Sequence, residues 1–300
     1  MTRRGVRVLT GLIGLVLLIG AGLWIWQVSS RPASAEDTAL SYLRALESGD
    51  AAALAAVSTA APETALTAFA AADERIGDVT TTAVEQSGDT ATAEVAFVLA
   101  GERHTASLPL SQVEGSWRID AAGLGSLRAD TTAGSFVRIG DATFAIGEKV
   151  ALFPAVYTVT PAPRDLLSGQ ADVIVLPGES AAVSLDAALL PEATEAAQTA
   201  LDEHLAECTT GGADVPSGCG IRIPWGTEFR AVSDIRYRIE TPPSLTLTPT
   251  GFDAEDGVLI ATVTGTGQDG TPRTTTYRTE SWLLRGDASF TETSVVLSPW

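Results

Sequence analysis

Basic residues and soft ligands are scarce in this 300-residue chain. It has one lysine, Lys149, two histidines, His104 and His204, and two cysteines, Cys208 and Cys219, against 37 acidic residues. The formal charge is −18. Arg3, Arg4, Arg7 and Arg31 all precede the first acid, Glu36, so the chain beyond residue 31 holds 15 basic against 37 acidic residues, a charge of −22. Such a body repels phosphate backbones and anionic lipid surfaces, which excludes nucleic acid as an expected partner and favours a partner with positive patches.

The other shortages restrict chemistry. His204 and Cys208 stand at i, i+4 and Cys219 could join them, but three ligands fall short of the four of a structural zinc site, and C-x₂₋₄-C spacing is absent. No Ser-x-x-Lys occurs, and Gly178-Glu179-Ser180-Ala181-Ala182 lacks the closing glycine of a nucleophile elbow. Asp253-Ala254-Glu255-Asp256-Gly257 starts like a calcium loop without the Glu that would complete it, and reads as a solvated hairpin turn. No catalytic constellation, metal or cofactor is therefore expected.

What is present begins with Val8–Trp26, 19 residues without a charge. As a helix this run spans roughly 28 Å, close to the thickness of a bilayer core. Three arginines precede it, and Trp24 and Trp26 fall where an interfacial aromatic belt would lie. The expectation is a single-pass plasma-membrane anchor over residues 8–26 within a 1–31 segment, its tip cytoplasmic and its body extracytoplasmic. Ala33-Ser34-Ala35 has the form of a cleavage site, so a cleaved signal peptide is the alternative; the apolar run is longer than the roughly 7–15 residues usual for one and ends well before the triplet.

Either reading exports residues 36–300, where cysteines meet an oxidising environment. Cys208 and Cys219 therefore read as a disulfide, contributing about 3 kcal/mol in the loop-entropy model. It would pin a glycine-rich loop over 209–220 to the end of a helix over 191–208, which has proline in its first turn and Ala197, Leu201, Leu205 and Cys208 on one face.

Residues 36–121 give helical periodicity first. Ala39, Tyr42, Leu43 and Leu46 form a stripe, Glu36 and Asp37 occupy its first turn, Gly49 ends it and Asp50 caps a second helix. A third helical run extends from about Pro62 to Asp73. The period then becomes two, with Ala91, Ala93, Val95, Phe97 and Leu99 alternating with more polar neighbours and turns at Ser87-Gly88-Asp89, Gly101-Glu102 and Glu114-Gly115-Ser116. The Ala45–Ala51 segment, the order of helices before a meander, and the closing Gly115-Ser116-Trp117-Arg118-Ile119 resemble the NTF2-like superfamily. That resemblance implies a cone of helices wrapped by a curved antiparallel sheet. Its mouth could hold a small molecule or, with an acid partnering His104, act as an enzyme. His104 shares parity with Ala106 and Leu108, and no partner for it is evident.

Residues 123–135 read as a Gly/Ser/Ala/Thr linker, 133–188 as a small β module similar to PEGA-like repeats, and 189–300 as a helix followed by an antiparallel meander with the disulfide-closed loop. A second NTF2-like cone is the alternative for 189–300. The fold class expected is thus α+β: an amino-terminal transmembrane helix, an NTF2-like cone, then a β-rich region with one helix. The L-D-x-x-L-x-x-C pattern before Cys208 and the Gly-Cys-Gly at Cys219 resemble an element of exported, membrane-anchored proteins of high-GC Gram-positive bacteria. The whole arrangement is distantly similar to the teicoplanin-resistance-associated membrane proteins, whose cytoplasmic zinc ribbon this sequence lacks. These resemblances imply a non-enzymatic cell-envelope protein whose outer modules bind a protein or cell-wall partner.

Overall fold

The computed structural model describes residues 33–300. The apolar run 8–26, with Trp24 and Trp26, lies outside them. Among the described residues no helix is long and apolar enough to cross a membrane.

The first elements are α1 (Ala35–Ser48), α2 (Ala51–Val57), α3 (Glu63–Ala70), β1 (Glu74–Arg75), β2 (Gly77–Ser87), β3 (Thr90–Leu99), β4 (Glu102–Val113) and β5 (Ser116–Ile119). Helix α1 opens with a capping box: the Ser34 hydroxyl accepts from the Asp37 amide at 3.1 Å, and the Asp37 carboxylate accepts from the Ser34 amide at 3.1 Å. It closes on Gly49 in the left-handed region, and Asp50 caps α2 by accepting from the Ala53 amide at 2.9 Å.

Contacts divide the described chain into two units. The first takes the residues up to Ala61, then Gly77–Val98 and Arg103–Gly123. Its sheet runs β2-β3-β4-β5. Helix α1 buries Tyr42, Leu43 and Leu46 on it, and the Tyr42 hydroxyl donates to the Gly123 carbonyl at 3.0 Å.

The second unit comprises Pro62–Ile76, Leu99–Glu102 and Leu124–Trp300. Its further elements are β6 (Gly125–Thr131), β7 (Phe136–Ile139), β8 (Ala142–Ala145), β9 (Lys149–Leu152), β10 (Ala155–Ala162), β11 (Leu167–Ser168), β12 (Ala171–Val175), β13 (Ser180–Leu185), β14 (Ala188–Leu189), α4 (Pro191–Cys208), β15 (Phe229–Thr241), β16 (Ser244–Leu247), β17 (Gly251–Gly267), β18 (Pro272–Phe290) and β19 (Val295–Pro299). Strand β10 is the hub of one sheet, pairing antiparallel with β1, β12 and β7. A second sheet joins β6 to β9 antiparallel and to β13 in parallel. The last sheet runs β15-β17-β18-β19, with β16 also on β17. Ala193, Ala197, Leu201 and Leu205 of α4 bury against Leu245, Phe252, Trp282 and Phe290 of that sheet, in a core that also takes in Ala133 and Leu167.

This architecture corrects the expected fold. Strands make up 53% of the described residues and helix 20%, with four α-helices, so the described part is mostly β rather than an α+β NTF2-like cone followed by a β-rich region. The physical reason starts at α3. Its apolar face, Ala65, Ala68 and Phe69, is buried within the second unit, where Phe69 meets Phe153 with ring centroids 5.6 Å apart and the Arg75 guanidinium lies over the same ring. The four-stranded sheet of the first unit therefore has two helices, and no three-helix cone closes around it. Segments read as connectors also pair as strands. Residues 125–131 form β6, where buried Leu127 and Ala129 alternate with Ser126, Arg128 and Asp130. The Asp253–Gly257 stretch lies inside β17, at a register irregularity, rather than in a turn.

Candidate functional site

Cys208 and Cys219 build the site. Cys208 ends α4 and is bonded to Cys219, with Cα atoms 5.7 Å apart. Both are buried. The Trp282 indole N–H donates to the Cys219 carbonyl at 2.9 Å, fixing the loop to β18. One residue on, Gly220 has φ +60°, and a Cβ there would sit 2.1 Å from the Leu283 carbonyl oxygen. Only glycine allows this approach. At the other end Gly212 exchanges two backbone hydrogen bonds with Ile235 of β15, at 3.1 and 2.7 Å. Residues 209–224 thus form a long loop lying across one face of the sheet, tied at both edges, with Val215 and Ile223 packed on Phe229, Ile235, Ala261 and Val263.

Two cavities open beside this loop. One, of about 390 Å³, lies under Ile223 and Pro224, floored by Leu259, Ala261 and Tyr277. The other, of about 590 Å³, runs along β18 and is lined by Gly220, Ser281, Leu283, Arg285 and Trp300. Arg222 and Thr279 line both. Arg222 is exposed and has no hydrogen-bond or ion-pair partner among the described residues. Arg285, by contrast, is bound to Asp253 at 2.8 Å and Glu255 at 3.4 Å, and Arg278 to Glu240 at 3.0 Å. Tyr237 and Tyr277 flank Ala261 across the three strands. Both phenols are pushed up by burial, and Tyr277 also by the Glu228 carboxylate beside it. The Tyr237 hydroxyl is buried without a hydrogen bond.

The larger cavity follows an open strand edge. Strand β19 pairs with β18 over Gly286–Phe290, and the Trp300 amide adds one bond to the Arg285 carbonyl at 3.0 Å. Among the described residues no strand pairs with that edge from Thr279 to Leu283. Leu283, two residues from Arg285, turns its peptide groups to the same edge, where Gly220 packs against its carbonyl. Leu283 is 42% exposed and Trp300 76% exposed. The arrangement offers a stretch of β18 that no strand pairs on this side among the described residues, an apolar ledge and one free guanidinium.

The remaining residues singled out in the sequence lie elsewhere. His204 sits beside the disulfide, its Nε2 3.2 Å from the Gly218 carbonyl and 3.4 Å from Cys208 Sγ. It forms a three-ligand cluster with the two sulfurs, but the sulfurs are bonded to each other. His104 stacks on Phe97, centroids 5.7 Å apart, and its buried Nε2 has no carboxylate or other partner among the described residues. Sequence reasoning found the disulfide and missed the groove, because Trp300, Leu283 and Arg222 are far apart in the chain and share no periodicity. Comparison with protein-family models, with curated proteins and with solved structures gives no match.

Proposed function

We propose that the protein is an exported, non-catalytic binding protein of the cell envelope, attached to the plasma membrane through residues 8–26. Its second unit takes an extended segment of a partner protein along β18. The observation that carries this reading is the edge of β18 at Thr279–Leu283, which no strand pairs among the described residues and which borders a groove with Trp300, Arg222 and Gly220 on its walls. Main-chain bonding along such an edge supplies affinity, and side-chain pockets supply selectivity. An apolar side chain of the segment would rest on Leu283 and Trp300, and a carboxylate would meet Arg222.

Two features support export. The disulfide is of the kind that persists in oxidising compartments. The apolar run and its flanking arginines favour a retained segment with the body outside. The capping box adds to this: Ser34 caps α1 and Ala35 is buried at its start, so cleavage after Ala35 would cut away the helix's own cap.

The test is photocrosslinking in the native cell from a benzophenone amino acid at Ser281. The reading expects an adduct of discrete mass, lost when Leu283→Pro removes an edge N–H. It fails if the adduct persists in that variant or if none forms from Ser281.

A further inference from the structure

A third cleft, of about 390 Å³, lies in the second unit away from the β18 groove. Its walls bring together Asp73, just after α3, Arg138 of β7, Thr160 of β10 and Arg164. Arg138 stands directly opposite Thr160 in the β7–β10 register. Its side chain is 19% exposed, and its Nε is buried without a hydrogen bond. Its one ion pair, at 3.4 Å, is to Asp141, a carboxylate 88% exposed to water, and exposed pairs of this kind hold little energy. Arg164 has no partner among the described residues. In the same cleft one oxygen of Asp73 accepts from the Thr158 amide at 2.6 Å, which fixes the carboxylate in place, and neither arginine pairs with it.

Two guanidiniums lining one cleft, one held only by an exposed carboxylate and the other without a partner among the described residues, leave a place for an incoming carboxylate. We infer that this cleft binds a free α-amino acid, with Arg138 and Arg164 taking the α-carboxylate and Asp73 the α-ammonium. The planar forks of arginine match a carboxylate in two-point fashion, and Thr160, opposite Arg138 in register, lines the same cleft. Charge selects the class of ligand. A phosphate would be repelled by Asp73 and by a body of charge −22, whereas a zwitterion satisfies both walls with no net charge. The volume lies within the range of small-molecule sites.

The test is isothermal titration of the purified full chain with four probes: L-alanine, N-acetyl-L-alanine, L-alaninamide and inorganic phosphate. L-alanine should bind saturably, and the acetylated and amidated forms should each bind at least about tenfold more weakly, since each lacks one charged contact. Arg164→Gln, an exposed substitution that leaves the fold intact, should weaken L-alanine by a similar factor. Asp73→Asn should weaken L-alanine while leaving N-acetyl-L-alanine unchanged. Absence of saturable L-alanine binding, tighter binding of phosphate than of L-alanine, or an unchanged affinity in Arg164→Gln would each overturn the assignment.

Discussion

At Gly220 the backbone occupies the left-handed region and leaves no room for a side chain against the Leu283 carbonyl. Gly220→Ala should therefore cost at least about 2 kcal/mol, combining left-handed strain with displacement of β18. Gly218→Ala, whose Cβ would meet nothing closer than 3.9 Å, carries the strain alone and should cost less. Urea unfolding of the two variants gives the comparison. A second residue-scale effect lies at the start of α1. Hydrogen bonds from the Ser34 hydroxyl and then the Ser34 amide hold the Asp37 carboxyl below its ordinary value. A depressed carboxylate contributes stability that is fully present above the unfolded pKa, about 3.9, and is lost as pH falls through the lower folded value. Ser34→Ala should thus lower the unfolding midpoint at pH 7, and the gap from the parent should shrink in acid. A gap independent of pH would show that the box does not operate.

Among the elements, α3 is the one whose destination decides the architecture. Phe69→Ala removes its contact with Phe153 and should cost about 3–5 kcal/mol. Amide exchange should speed up in β8 and β9, where α3 packs, and stay unchanged in α1. Equal acceleration in α1 would return α3 to the first unit. The loop 209–224 depends on its staple: replacing both cysteines by serine should cost about 3 kcal/mol and open that loop to protease, while α4 persists on its buried Ala197, Leu201 and Leu205.

These elements show how far the sequence could be read. The stripe of α1, its Gly49 stop, the α4 face and the disulfide were legible because periodicity, caps and cysteine chemistry are local signals. The placement of α3 was not, because an apolar face at Ala65, Ala68 and Phe69 specifies burial without specifying the partner. Strand β6 was read as a linker because Gly, Ser and Ala dominate its surroundings, although Leu127 and Ala129 hold the alternation of a strand. Strand β17 runs through Asp253–Gly257, where acids and glycine mimic a turn; Asp256 takes φ +61° at the irregularity there. The groove along β18 and the cleft at Arg138 arise from residues brought together by sheet register, which no single window of sequence contains.

At the scale of the whole molecule, the proposed function has an acidic body held outside the cell by residues 8–26 and a partner strand added at β18. Protease added outside intact cells should remove residues beyond 36 while the mature amino terminus stays near Met1; a terminus at Glu36 would contradict the retained segment. The central claim, strand addition at β18, is tested most directly by hydrogen exchange of the full chain in its native membrane compared with the same chain purified in detergent. Strand addition predicts that the backbone amides of residues 279–285, Leu283 above all, exchange more slowly in the native membrane, with exchange in β2 unchanged. Equal exchange of residues 279–285 in the two preparations would contradict it.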